Sequence, residues 1–478
     1  MIILLFILLI NLVISVWIIG FKGRNPASSW AWLIFLILMP FFGIAMYILF
    51  GQDSRKIKTF NKKNDADLIL DCEFKSDFDN CFYDANCSYQ DFSNSSKVVA
   101  LLTEKLSNEF LVCNNEVSIF VDGSHKFREL MIAIDNAKNY IHLEYYILRN
   151  DNLGRFLLNK LIKKAQKGVE VKLLVDAVGT FTKNRNFFEP LIDSGCKVAV
   201  FGKRHAIRIN YRNHRKLCII DGKHGFLGGF NIGDEYIYSR KFGVWRDTHI
   251  KIYGDAVKYL ELQFIKDWNF CSEDKIVLED KYFPNIPKTD TNIPMQILSS
   301  GPDTKWANIH YVFLKMISTA KDYVYITTPY LMPDESIINA LKIASISGVD
   351  VQILIPSVGD HPFVLGGNLS NVEILLKAGV KCYMYKAKGD VATFIHSKQI
   401  IVDDLYTSLG TANFDYRSFY LNFEINSIMY DKKISINFRE QFQTDLTFSE
   451  EITLEYFKSY TFMDNVKFAI SRLLSPLL

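Results

Sequence analysis

HRKLCIID at residues 214–221, followed by GGFN at 228–231, and HSKQIIVD at 396–403, followed by GTAN at 410–413, are two versions of one pattern, H-x-K-x4-D-x6-G-[GT]-x-N. In an extended strand, residues two apart point to the same face, so His214 projects with Lys216 and His396 with Lys398. The apolar residues Leu217 to Ile220 and Ile400 to Val402 bury each strand in a sheet, and the Gly pair turns the chain so that Asn231 or Asn413 returns beside its His. An imidazole, an ammonium and an amide around one point suit a phosphate diester. One copy alone reads as a surface His near a Lys; two copies at equivalent places do not.

Working outward, the chain around each copy repeats as well. AKNYIHLEYYIL at 137–148 returns as AKDYVYITTPYL at 320–331, GVEVKLLVDAVG at 168–179 as GVDVQILIPSVG at 348–359, and SGCKVAVF at 194–201 as AGVKCYMY at 378–385. The order of elements is kept at a separation of about 180 residues, which predicts duplicated α/β halves. Apolar β-rich runs alternating with helical segments predict a mixed, mostly parallel sheet flanked by helices in each half.

The 478 residues are too many for one ordinary domain, and 49% hydrophobic content supplies cores for two or three units. A net charge of +3 gives no bulk attraction for nucleic acid, so an anionic substrate has to be held locally. Two apolar runs, 1–21 and 29–50, are each about the length that crosses a bilayer as a helix. Lys22, Arg24, Asn25 and Pro26 form the polar turn between them, which predicts a transmembrane hairpin. The first run lacks the basic start and small-residue cleavage site of a signal peptide. Arg55, Lys56, Lys58, Lys62 and Lys63 outnumber the cations of the turn, so the positive-inside rule places the large domain in the cytoplasm. The acidic stretch 65–91 reads as a solvated linker or irregular cap. The expected organisation is a hairpin at 1–52, linker and cap at 53–114, a first half at 115–288 and a second half at 289–478. The second half ends in an apolar and basic tail that reads equally as a helix lying on a bilayer or packed on the domain. The eight cysteines show no zinc spacing and are expected to be reduced, structural thiols.

On these motifs the chain resembles the phospholipase D superfamily, and within it the bacterial cardiolipin synthases. The likeness extends to NPASSWAWLIFLILMPFFGIAMYILFG at 25–51, WRDTHIKIYGDAV at 245–257, Asp267-Trp268, SSGPD at 299–303, TPYLMPD at 328–334, GTANFDYRSFYLNFEIN at 410–426 and the terminal SPLL. The resemblance implies a single site facing both motifs, in the bacterial cell membrane, that transfers a phosphatidyl group between phosphatidylglycerol molecules through a phosphohistidine. It implies His214 as nucleophile, His396 as acid and base, and Lys216, Lys398, Asn231, Asn413 and Thr411 as phosphate-binding groups. Neither a metal nor another cofactor is required. Asp247 and Glu424 fit the carboxylates that orient the imidazoles. Asp221 and Asp403 close the motifs and are counted with the catalytic set, although their place at the far end of the strand favours structural ion pairing. Thr411 stands where much of the superfamily has Ser, and Gly229 at the equivalent position makes the halves chemically unequal. The competing readings are a phospholipase D that hydrolyses lipid to phosphatidic acid, a scaffold with a dead site, and a membrane-bound nuclease. The first differs only in whether water or a lipid alcohol reaches the intermediate. The sequence does not read out an oligomeric state.

Overall fold

The computed structural model describes residues 2–20, 26–50, 53–78, 89, 92–107, 109–180, 185–202, 211–238, 245–361, 363–386 and 393–473. Strands β1 Asn115–Phe120, β2 Tyr140–Tyr145, β3 Glu170–Asp176, β4 Lys197–Phe201, β5 Lys216–Ile220, β6 His224–Gly228 and β7 His249–Gly254 form one sheet, in the order β1-β7-β6-β5-β2-β3-β4. The second half contributes β8 Met295–Ser300, β9 Tyr323–Thr327, β10 Leu331–Met332, β11 Asp350–Pro356, β12 Lys381–Tyr385, β13 Gln399–Val402, β14 Tyr406–Gly410, β15 Phe414–Asp415, β16 Glu424–Met429 and β17 Ser449–Ile452. Apart from the small ribbon β10-β15, these form a sheet in the order β8-β16-β14-β13-β9-β11-β12-β17, the order of the first with one strand added. The halves are duplicated, as the repeat predicts.

The mostly parallel expectation is corrected. Among the described residues of the two sheets, only β2-β3-β4 and β9-β11-β12 run parallel; the remaining pairings in both sheets are antiparallel. The parallel strands are those joined through helices such as Asn152–Ala165 and Glu335–Ile346. Each motif strand instead doubles back through a tight turn. Asp221 and Gly222 have φ of 53° and 63°, and Asp403 and Asp404 both have 53°, the left-handed turn whose twist matches a hairpin.

Alternation along the motif strands divides the interior. Leu217 and Ile219 of β5 meet Ile401 of β13 and Ile425 of β16 in a core between the two sheets. Cys218 and Ile220 face helices Gly123–Asn136 and Asn152–Ala165, while Ile400 and Val402 face helices Asn308–Thr319 and Glu335–Ile346. The central core also holds helices Ala256–Cys271 and Lys432–Leu446, so each sheet has helices on both faces.

Asp221 and Asp403 stand away from the two histidines, and among the described residues neither is ion-paired. The Asp221 carboxylate accepts from the backbone N–H groups of Lys138, Asn139 and Tyr140 at 2.7–2.9 Å, and Asp403 accepts from Lys321, Asp322 and Tyr323 over the same range. Each motif Asp therefore clamps the start of the neighbouring strand.

The linker expectation also fails for its first part. Residues Asp53–Phe78 form a helix whose Phe60, Lys63 and Phe74 are buried in the body. Lys63 pairs with Asp67 at 2.5 Å, Asp303 at 2.8 Å and Asp267 at 3.2 Å, and Lys266 pairs with Asp71 at 2.5 Å. Acidic residues that read as solvated are spent on buried lysines. Cys113 is disulfide-bonded, which corrects the all-reduced expectation; Cys81 and Cys87 lie outside the described residues.

At the N-terminus the second apolar run is not one helix. It divides into Pro26–Leu38 and Pro40–Phe50, of 13 and 11 residues, because Pro40 has no N–H to continue the ladder. Ile18, Leu36 and Tyr47 join these pieces to the 19-residue helix Ile2–Gly20. Among the described residues, no helix is long and apolar enough to cross a membrane. The predicted turn residues Lys22, Arg24 and Asn25, and the terminal SPLL, lie outside the described residues. The tail helix Phe462–Leu473 packs Phe468 and Ser471 against Gly366 of helix Val364–Leu376 and leaves Phe462 and Met463 exposed.

Replacing Asp221 with Asn keeps the turn conformation but turns an amide N–H₂ toward backbone donors. Chemical denaturation in detergent is expected to show a loss of about 1–3 kcal/mol, with turnover per folded molecule retained.

Candidate active site

His214 lies two residues before β5 and His396 three residues before β13, and there each half is stitched to the other. Asn213 bridges Phe423 and Arg246 bridges Ile395 in parallel pairing. The His214 N–H donates to the Phe423 carbonyl at 2.9 Å, and the His396 N–H to the Arg246 carbonyl at 2.7 Å. The stitch sets each imidazole beside a carboxylate of the opposite half. His214 Nδ1 donates to Glu424 at 2.9 Å, and His396 Nδ1 donates to Asp247 at 2.6 Å. A carboxylate only accepts, so in both neutral rings Nδ1 carries the hydrogen and Nε2 presents a lone pair. Sequence spacing had placed one orienting acid in each half; it carried no sign that they are exchanged.

Both rings and both acids are buried. Burial pulls His214 down to about 4, against Glu424, which raises it. Burial and then Lys398 lower His396, with Asp247 opposing. Burial pushes the Glu424 carboxyl up, but the His214 ring outweighs this and holds it below its ordinary value. Lys216 donates to the His214 carbonyl at 2.6 Å, and Lys398 to the His396 carbonyl. Burial brings Lys216 down to about 7 and Lys398 to about 8. Two ammonium groups that hold their protons this weakly favour an arriving anion.

The asparagines follow the motif into the site. Asn413 lines a cavity of about 410 Å³ with His214. Its Nδ2 donates to Asp415 at 3.1 Å, and its Oδ1 is buried without a hydrogen-bond partner. Asn231 donates to the Tyr236 hydroxyl at 3.0 Å and accepts from the Ile147 N–H at 3.2 Å. Each amide keeps a second N–H beyond these bonds.

Thr411 does not reach the phosphate position. It is fully buried behind Glu424, where its Oγ1 accepts from the Ile425 N–H at 2.9 Å and helps lower the Glu424 pKa. Gly229 holds the equivalent place, and a Cβ there would collide with the Asp247 carboxylate. The hydroxyl in one half and the glycine in the other thus accommodate two acids of different length.

Several residues of the site carry no motif. The Tyr146 ring stands edge-on to His214 at 5.0 Å, and Trp245 lies 5.5 Å from His396. Tyr146 and Tyr330 follow the repeated strands β2 and β9, so a tyrosine just past each duplicated strand was the available signal. Arg215, between His214 and Lys216, is fully buried, pairs with Asp267 and donates to the Glu424 carbonyl at 3.2 Å. Arg212 and Arg417 also line the cavity.

Comparison with known proteins matches this arrangement. The family described as cardiolipin synthase, PLD-like domain, matches residues 130–268 and 313–446, and the phospholipase D-nuclease N-terminal family matches residues 3–52. A cardiolipin synthase of Staphylococcus aureus is 42% identical, with 98% of this chain and 95% of that protein covered. One from Oceanobacillus iheyensis is 40% identical, with 98% and 97% covered.

The chain belongs to the cardiolipin synthase family of the phospholipase D superfamily.

It is therefore a phosphatidyltransferase. Among solved structures, phosphatidylserine synthase of Haemophilus influenzae aligns with a TM-score of 0.62 over 80% of this chain and all of that one. At 14% identity this likeness speaks for the fold. Within the cardiolipin synthase family fold, the duplicated sheets bring two motifs about 180 residues apart to one interface.

Glu424→Gln removes the charge that raises His214, so the acid limb of kcat/KM, where His214 protonates as pH falls, is expected to move to lower pH. At neutral pH the rate should drop about 10²–10⁴-fold as the ring loses the negative charge on its acceptor. A pH–rate profile of the variant against the parent checks both.

Proposed function

We propose that this protein makes cardiolipin from two molecules of phosphatidylglycerol and releases glycerol. The observation that carries the reading is the pair of crossed Nδ1–carboxylate contacts, which leave two Nε2 atoms for one reaction. His214 Nε2 attacks phosphorus, and the bond to the glycerol oxygen breaks as His396, which enters this step as the imidazolium with Nε2 protonated as well as Nδ1, gives its Nε2 proton to that oxygen. The terminal hydroxyl of a second phosphatidylglycerol then gives its proton to His396 and forms the new P–O bond, and the P–N bond breaks. Lys216, Lys398, Asn231 and Asn413 neutralise the non-bridging oxygens. One phosphodiester replaces another, so no nucleotide supplies energy.

Membrane lipid as substrate requires the protein to sit at a bilayer. Leu9, Leu12, Val16, Ile19, Ile37 and Leu38 of the N-terminal helices are all exposed, an apolar surface that water does not tolerate at this extent. Our reading is that the first run and the broken second run enter the bilayer together as a hairpin. The cations at 55–63 favour a cytoplasmic catalytic body. The Cys113 disulfide argues for the oxidising face, because cytosolic thiol buffers reduce such bonds. Cys72 is exposed and free. A membrane-impermeant maleimide is expected to label it only after cells are permeabilised; labelling on intact cells reverses the orientation.

Purified protein incubated with phosphatidylglycerol in detergent is expected to yield cardiolipin and glycerol in equal amounts. Phosphatidic acid as the main product would make the enzyme a hydrolase. His214→Ala should abolish trapping of labelled phosphatidyl on the protein; retention of label would move the nucleophile elsewhere.

A further inference from the structure

The duplication does not make the two sides of the site alike. Two residues before His214 stands Arg212, whereas two residues before His396 stands Phe394, whose ring packs on Trp245. Four residues after Asn413 stands Arg417, whereas four residues after Asn231 stands Glu235, paired with Arg149. One side has thus acquired two guanidiniums where the other has an aromatic ring and a carboxylate. Both arginines line the 410 Å³ cavity beside His214 and Asn422. Exposed Phe363 stands at its rim, with φ of 74°.

The two charges are held together under burial. Arg417 is 8% exposed, and burial followed by the charge of Arg212 pulls its pKa below the ordinary value. Arg212 hydrogen-bonds Tyr146, but its Nη1 is buried with no hydrogen-bond partner. The carboxylates facing the pair are largely committed. Asp176 accepts from the N–H groups of Val178, Gly179 and Asn213, and Asp415 accepts from the Ser418 N–H and from Asn413. Asp360 accepts from the Tyr330 hydroxyl. A buried guanidinium edge without an acceptor is costly, and the planar fork of Arg is matched to phosphate.

The reacting phosphorus does not explain this pair. Its non-bridging oxygens already have Lys216, Lys398, Asn231 and Asn413, which the duplication supplies to both sides. A group that breaks the symmetry serves a ligand that only one side receives. In the reaction proposed above, one other anion enters the site, the phosphodiester of the lipid whose hydroxyl attacks. We propose that Arg212 and Arg417 form a subsite for the phosphodiester of the acceptor lipid, and that this subsite sets the preference for a phospholipid alcohol over glycerol or water. The proposal rests on that transfer reaction. It assigns the arginines to the second half-reaction, because formation of the phosphohistidine involves the donor lipid alone.

The test separates the two half-reactions in the full-length enzyme in detergent micelles. Exchange of labelled glycerol into phosphatidylglycerol reports donor cleavage and return to a neutral alcohol; cardiolipin formation reports transfer to a lipid acceptor. For Arg212→Gln and Arg417→Gln, kcat/KM for cardiolipin formation is expected to fall roughly 10- to 100-fold, the loss of a charge-assisted hydrogen bond. Glycerol exchange should fall less than about threefold, and the share of phosphatidic acid should rise. Arg212→Lys, which keeps the charge but not the fork, should recover part of the loss, and because Arg212 is half-buried it keeps the test open should Arg417→Gln fail to fold. Equal losses in exchange and synthesis, or no loss in either, overturn the subsite while the reaction stands. A parent enzyme that forms only phosphatidic acid overturns the reaction and the subsite with it.

Discussion

A buried imidazole presents one nitrogen reliably only when the other is held, and in this protein both holds cross the interface between the duplicated halves. Glu424 of the second half grips His214 of the first, and Asp247 of the first grips His396 of the second. Neither half is a complete site, because each supplies a histidine without its acceptor and an acceptor without its histidine. The paired bridges at Asn213–Phe423 and Arg246–Ile395 fix the register of this exchange. A one-residue slip in either would turn the carboxylate to the other face of its strand.

The same interface explains why charge is tolerated at the centre of the molecule. Lys216 and Lys398, Glu424 and Asp247 are all buried at strand starts between two sheets. Their desolvation is offset by one another, and the lowered pKa values of the two lysines are those of a site waiting for an anion. Beneath them Arg215 and Asp267 continue the network outward to Lys63, on the helix that follows the N-terminal apolar segments. Phe60 on that helix lies 5.4 Å from Phe423, the neighbour of Glu424. The helix Asp53–Phe78 is thereby part of the wall behind the catalytic centre.

Duplication gives this enzyme its chemistry, and departures from duplication give it direction. Gly229 opposite Thr411 adjusts the backbone to an aspartate on one side and a glutamate on the other. Arg212 and Arg417 opposite Phe394 and Glu235 polarise the cavity. Two equivalent imidazoles can exchange one phosphodiester for another; unequal surroundings decide which alcohol each receives.

The sequence by itself determined the duplicated α/β halves, the His–Lys pairs and the family, because these are carried by local patterns repeated at one spacing. The role of Asp221 and Asp403 was not legible, since a carboxylate that clamps backbone N–H groups looks the same in a motif as one that moves a proton. Strand direction, the docking of the helix Asp53–Phe78 and the break at Pro40 were misread because each depends on what packs or pairs against the segment. Only the tertiary structure decided which carboxylate serves which histidine. Glu424 lies 210 residues from His214, and Asp247 lies 149 from His396. Contacts at such separations are set by the packing of one sheet on the other, a constraint that leaves no periodicity in the chain.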